Sequence, residues 1–347
     1  RSDFLEQTGM EIPTTIDEWT ALFAKMKENG VEYPLSLAGD NGMGGFFNSN
    51  VFSSAYGISA GSFYKGEDGK IAYGPYQDAY KDYLAQLNEW FEAGYINPDF
   101  TTQKESDVMS QAADDKVGTM FMHLYTYGAE YYMTTEKDHP EKAMVPAPVP
   151  TLNKGDELPG LRDSSVYMGD YKYITADAKN PSACMALLDA LYQEDIDRML
   201  ANGIEGVGYD MVDGVPVRRT VAPDADKETL LSVAPEQWHT QEDRDLDYIL
   251  KYKYNKGSQD EALTLWKEQG SDQMLSKFIL FNSEESEVKK TYQTDIETYV
   301  KEMALKFIMG QESLDNFGTY QENLKNMHVE ELTAAYQSAT DRYEARK

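Results

Sequence analysis

The side chains best suited to act on a small polar molecule are His123, Tyr125, Thr126 and Tyr127. They follow Val117-Gly118-Thr119-Met120-Phe121-Met122, a short apolar run that reads as a buried strand. Ligands of open α/β folds sit beyond the carboxyl ends of strands. An imidazole, two phenols and a hydroxyl there suit stacking on a polar ligand and hydrogen bonding to it. Core packing is the competing use of Tyr125 and Tyr127. Trp238, in a loop-like stretch, is a further ligand candidate. The stretch GDNGMGGFFN at 39–48 invites a phosphate-binding interpretation, yet it fits neither G-x-G-x-x-G nor G-x-x-x-x-G-K-[ST].

Covalent and metal chemistry finds little support. No G-x-S-x-G or H-E-x-x-H phrase occurs, and His123, His139, His239 and His328 lack metal-ligand spacing. Cys184 is the sole cysteine, so no internal disulfide or cysteine-rich metal site forms, and its apolar neighbours make it a small buried thiol. Paired carboxylates hydrolyse glycosides, but among 60 acidic residues any pair can be nominated. The expectation is a binding protein without enzyme activity, metal or cofactor.

Composition narrows the partners. The 347 residues, 41% of them apolar, suffice for two domains or one large one. A formal charge of −28 repels a phosphate backbone, which argues against nucleic acid. No apolar run is long enough to span a bilayer. Tyrosine dominates the aromatic residues, with 25 copies, and its apolar face and hydroxyl suit wet interfaces and sugar rings alike.

The elements that must position these residues are written in periodicity. In GPYQDAYKDYLAQLNEWFEAGYINPDF, residues 74–100, Tyr76, Tyr80, Tyr83, Leu84, Leu87, Trp90 and Phe91 share one helical face. Pro75 suits its start, Gly94 its left-handed end, and Asn97-Pro98 prevents resumption. Upstream, Thr15 and Glu18 form a capping box for a stripe of Ile16, Trp19, Leu22, Phe23 and Met26 closed by Gly30. A strand over 33–38 follows, then a helix from 48 ending near Gly57, and a hairpin turning at Asp68-Gly69. Thr102 is expected to cap a short polar helix, and residues 143–150, AMVPAPVP, to form an extended strand. A strand over 166–174 precedes a helix capped at Asn180-Pro181, with weaker helices near 245–254 and 260–266. Three helical stripes end the chain: Val288 to Phe307, Leu314 to Met327, and Leu332 to Tyr343.

The wording of several of these stretches goes further than their periodicity. The ending EWFEAGYINPDF resembles the signature helix of extracellular solute-binding proteins, the substrate receptors of ABC importers, which mostly bind sugars. The opening RSDFL, followed by GMEIPTTIDEW, resembles the phrase that opens the second lobe in that family. PSACMALLDALY at 181–192, GIEGVGY at 203–209 and KFIMGQESLD at 306–315 resemble others, the second matching the oligosaccharide-receptor branch.

The resemblance implies a helix-rich α/β fold of the two-lobe periplasmic-binding-protein-like type II, with the initial run of the first lobe absent before Arg1. It implies that residues 1–165 and 283–347 form the second lobe, and 166–282 the rest of the first lobe with the crossings. A sugar or oligosaccharide would be held between lobes by aromatic stacking and hydroxyl hydrogen bonds, with hinge closure. Asp40, Asn41, Phe46, Phe47 and Asn48 would lie on a cleft-facing loop, or Phe46 and Phe47 would fill the core under a structural turn. Glu205 would accept sugar hydroxyls or tie together the glycine-rich loop that ends at Tyr209. Partners would be the carbohydrate and the importer permease subunits, outside the cell, with a lipid anchor upstream of Arg1. A non-catalytic interaction fragment with impaired binding is the alternative, and a glycoside hydrolase the remoter one.

Overall fold

The structure is a computed structural model that describes residues 1–38, 50–122, 124–158, 161, 172–212, 214–219, 257–267 and 272–346. The expected helix near 245–254, most of the expected strand over 166–174, and residues 39–49 lie outside the described residues. The chain forms two compact units, Arg1–Ser164 with Lys256–Lys347, and Ser165–Asn255.

The first unit is built around the aromatic stripe. Gly74–Tyr76 makes a 3-10 turn with Pro75 in its first positions, and the helix proper runs Ala79–Glu92, with Gly94 left-handed at φ 70°. Trp90, Tyr80, Leu84 and Leu87 are fully buried. Trp90 meets Phe23 and Phe52 edge-on at centroid distances of 5.1 and 5.0 Å, and its indole N–H donates to Thr20 Oγ1 at 2.8 Å. Phe23 belongs to the helix Ile16–Glu28, whose whole expected stripe is buried. The Thr15 hydroxyl caps that helix by accepting from the Glu18 N–H at 3.2 Å. The Glu18 carboxylate turns instead to the Thr14 N–H and hydroxyl, so the capping box closes one residue earlier than expected.

The C-terminal helices Ser283–Ile308, Phe317–Asn326 and Val329–Glu344 complete this core through Ile296, Phe307, Tyr320 and Leu332. The first and last are clamped where Arg342 donates to both Glu285 oxygens and to the Leu280 carbonyl. Elsewhere in the unit the Arg1 guanidinium is buried against Asp3 and Asp115, tying the helix Ser2–Thr8 to the end of the helix Glu105–Ala113.

Three expectations for this unit change. The described part of the helix expected from 48 to 57, residues 50–57, forms only a 3-10 turn at Ser53–Tyr56, because the segment folds around the Asn50 side chain, which takes hydrogen bonds a helix would leave to its backbone. Thr102 does not cap the next helix; its hydroxyl donates to the Asp99 carbonyl, and Asp107 accepts from the Lys104 N–H. The stretch 143–150 is extended without a strand ladder, since Pro146, Pro148 and Pro150 supply no N–H donor. The hairpin forms as expected, the strand Phe63–Lys65 pairing antiparallel with Ile71–Tyr73.

The second unit includes the helices Pro181–Ala190 and Glu194–Asn202 and an antiparallel pair, Tyr209–Val212 with Val215–Arg218. Asn180 caps the first helix by accepting from the Ala183 N–H at 3.1 Å. Cys184 is half-buried rather than buried, on a helix whose apolar Met185 and Leu187 are themselves exposed. No helix among the described residues is long and apolar enough to cross a membrane.

Candidate functional site

Two of the candidate segments leave the same edge of one small parallel sheet. The strand Tyr33–Ser36 pairs with Val117–Met120 in the register Tyr33↔Val117, Leu35↔Thr119 and Ser36↔Met120. The two strands run in the same direction and end together, so residues 38 and 122, which lead into 39–48 and 123–127, depart from one carboxyl edge. Parallel pairing requires a long crossover, here supplied by the hairpin, the aromatic helix and the helix Glu105–Ala113.

That edge is locked by a buried amide cluster that sequence reasoning does not identify. Asn97 Nδ2 donates to Gln103 Oε1 at 3.1 Å and Gln111 Oε1 at 2.9 Å, and Gln103 Nε2 donates to Ser36 Oγ at 2.9 Å. Gln103 also donates to the Leu37 carbonyl. Ser36, Asn97 and Gln103 are all buried, so each polar atom needs the others. Its one local signal is the Asn97-Pro98 pair, which by spacing alone reads as a helix stop.

The far end of segment 39–49 is fixed by Asn50. Its backbone is left-handed at φ 51°, which asparagine tolerates better than most residues. Its Oδ1 accepts from the Ala60 N–H at 3.0 Å and the Ser59 hydroxyl at 3.1 Å, while Nδ2 donates to the Leu161 carbonyl at 3.0 Å.

Of the candidate residues, Asp40, Asn41, Phe46, Phe47, Asn48, His123 and Trp238 lie outside the described residues. Tyr125 sits in the single helical turn Leu124–Thr126, which runs into a π-helix at Tyr127–Glu136. Tyr127 is buried and turned inward. Its hydroxyl donates to Glu136 Oε2 at 2.6 Å and accepts from the Ser258 N–H at 3.2 Å, and its ring stacks on Tyr131 at 6.2 Å. Burial, with Glu136 beside it, pushes the phenol pKa up. Ser258 in turn donates to the Met144 carbonyl, so Tyr127 anchors the start of the helix Gln259–Lys267.

In the second unit Glu205 and Tyr209 are held on a tight turn. Gly203 and Gly206 have φ of 89° and 79°, a region that costs other residues energy. The Gly206 N–H donates to the Tyr209 carbonyl at 2.8 Å, and Arg219 clasps the turn by donating to the Gly206 carbonyl and to Asp210. That ion pair holds the Asp210 carboxyl below its usual range. Glu205 is exposed and Tyr209 buried. Both are therefore carried on a loop of fixed shape.

Known proteins share this fold. The family described as bacterial extracellular solute-binding protein matches residues 1–197. No curated protein sequence matches the chain. Among solved structures, an HMO-binding ABC-transporter-associated solute-binding protein from Bifidobacterium longum infantis superposes with a TM-score of 0.70 at 17% identity, covering 99% of this chain and 72% of that one. The alginate-binding protein AlgQ2 without calcium ion gives 0.68 at 18% identity, covering 98% and 71%. The S. pneumoniae ABC-transporter substrate-binding protein FusA in complex with kestose gives 0.66 at 18% identity, covering 99% and 71%. These likenesses show the periplasmic-binding-protein-like, helix-rich fold. The family match extends over more than half of the sequence, and the chain belongs to the bacterial extracellular solute-binding proteins, non-catalytic receptors that act outside the cell.

Proposed function

We propose that this protein is the substrate-binding component of an ABC importer and that its ligand is a sugar or oligosaccharide. The observation that carries the proposal is the shared carboxyl edge of the parallel pair, from which segments 39–48 and 123–127 both depart. Those segments hold the flat faces of Phe46, Phe47 and Tyr125 and the hydrogen-bonding groups of Asp40, Asn41, Asn48 and His123. Such a mixture suits a ring with one apolar face and a rim of hydroxyls. Glu205, Tyr209 and Trp238 would supply further contacts from the remainder of the chain. Tyr127, committed to Glu136 and Ser258, would support the site from beneath.

In this proposal residues 1–165 and 283–347 belong to the second lobe, and 166–282 to the first lobe with the crossings. The lobes close on the ligand about hinges, as in other receptors of this kind. The closed form is presented to permease subunits, and a lipid anchor upstream holds the receptor at the cell surface. The compact division after Ser164 supports the first of these boundaries. The sugar-named proteins among the structural neighbours add weight to a carbohydrate ligand.

A thermal-shift screen against mono- and oligosaccharides tests this. At least one carbohydrate should raise the melting temperature in a concentration-dependent way, since a ligand at a hundred times its Kd stabilises by about 2.7 kcal/mol. Tyr125→Ala should weaken that shift while leaving the ligand-free melting temperature within a few degrees. A panel without a single stabilising carbohydrate would remove the sugar assignment.

A further inference from the structure

Beyond the strand Val117–Met120 the chain makes a single helical turn, Leu124–Thr126, and one such turn does not hold itself. The π-helix Tyr127–Glu136 that follows closes its hydrogen bonds five residues apart, a geometry proteins use sparingly and often beside functional sites. What fixes the turn comes from a distant part of the chain, residues 257–259.

Two bonds join the pieces. Gln259, only 2% exposed, donates from Nε2 to the Leu124 carbonyl at 2.7 Å, and the Ser258 N–H donates to the Tyr127 hydroxyl at 3.2 Å. Glycine permits both approaches. A Cβ on Gly128 would overlap the Gln259 side-chain amide, which supplies all three of its nearest atoms, and a Cβ on Gly257 would overlap the Tyr127 hydroxyl. Each segment thus receives a side chain of the other at a position that carries no Cβ.

The support behind Gln259 is firm. The helix Gln259–Lys267 is pinned at both ends to the extended stretch 143–150, since Ser258 Oγ donates to the Met144 carbonyl at 2.6 Å and the Trp266 indole N–H to the Ala147 carbonyl at 2.9 Å. The same residues lie just after Lys256, where the chain returns to the first unit. Burying an amide costs more than burying an apolar side chain of equal volume. An amide aimed at the main chain fixes position in return, which an apolar side chain would not.

We propose that Gln259 is a positioning residue of the carbohydrate site: it sets the Leu124 turn so that segment 124–127 is preformed for the ligand. The role rests on the carbohydrate assignment above. A ligand that meets a preformed segment is spared the cost of ordering it, so loss of the Gln259 bond lowers affinity as well as stability.

Calorimetric titration with the carbohydrate that stabilises the parent protein most, well below the melting temperature, tests this role. Melting temperatures are measured alongside, and circular dichroism confirms that each variant is folded. Gln259→Ala should bind about tenfold more weakly and melt lower. Gln259→Met, similar in length but without a donor, should show the same loss of affinity and keeps the test open if the smaller side chain does not fold. Adding Gly128→Ala to Gln259→Ala puts a methyl group where the amide stood. That double variant should regain melting temperature but not affinity, because the Leu124 carbonyl still lacks its donor. Affinity recovered together with stability would overturn the proposal by reducing Gln259 to packing, and unchanged affinity in Gln259→Met would overturn it outright. In both cases the carbohydrate assignment stands, since the parent protein binds. A parent protein that binds no carbohydrate would overturn that assignment and this role with it.

Discussion

Gly74 opens the aromatic stretch, and replacing it tests the packing of the first unit at its tightest point. A Cβ at residue 74 would stand 1.7 Å from the Ser59 carbonyl oxygen and 2.7 Å from its carbonyl carbon. Non-bonded carbon contacts prefer roughly 3.5 Å, so one of the two backbones would have to move by nearly an atomic diameter. Neither is free to do so. Ser59 is buried, donates to Asn50 Oδ1 at 3.1 Å and shares a 2.6 Å hydrogen bond with Ser62, while the Gly74 N–H is bonded to the Ser62 carbonyl at 3.2 Å. Gly74→Ala should therefore cost about 3 kcal/mol or more, beyond ordinary overpacking because the obstacle is backbone. In a unit of this size that is a fall of roughly 6–12 °C in Tm.

Gly318 provides the matched control. It lies within the helix Phe317–Asn326, and nothing stands within 4 Å of the place a methyl group would take, so Gly318→Ala should be neutral or gain up to about 1 kcal/mol from helix propensity. Urea unfolding followed by tryptophan fluorescence reads both variants. A Gly74→Ala protein as stable as Gly318→Ala would refute the close approach of Ser59 and, with it, the packing described for this unit.

Further predictions rest on individual contacts. Thr20→Val strands the buried Trp90 indole N–H and should lower stability by about 1–3 kcal/mol in the same urea assay. Asn50→Ala removes the acceptor of the Ala60 amide, so hydrogen exchange at Ala60 should accelerate and stability fall by about 1–3 kcal/mol. The Arg342 guanidinium holds the Glu285 carboxyl down to about 2. A carboxylate whose pKa is lowered by folding stabilises the protein above its unfolded pKa and ceases to do so as pH falls through the folded value. Arg342→Gln should accordingly melt below the parent protein at pH 7, with the gap closing between about pH 5 and pH 2. A gap that stays constant across that range would contradict the pairing.

Much of the first unit is legible in the sequence because its helices carry strong periodicity and explicit ends. Ile16, Trp19, Leu22, Phe23 and Met26 are all buried as their spacing requires, and Gly94 and Gly310 both take the left-handed conformation after their helices. What escapes is where side chains replace backbone partners. Asn50 turns an expected helix into a single 3-10 turn, and Asn97 does more than stop a helix, because the amide cluster joins residues far apart in sequence. No local pattern reports such non-local hydrogen bonds. Pro146, Pro148 and Pro150 do hold the chain extended, but extension alone does not secure a neighbouring strand. For the candidate site, the sequence places two segments after strands. The parallel register adds that both leave one edge, which neither strand alone can reveal.

The most direct test of the central claim is a calorimetric titration with the carbohydrate that stabilises the protein most, followed by chromatography of the recovered ligand. A carbohydrate receptor predicts a saturable isotherm with one site and ligand returned intact. Absence of saturable binding to any carbohydrate would contradict the assignment of the ligand, and recovery of cleaved products would contradict a purely binding role.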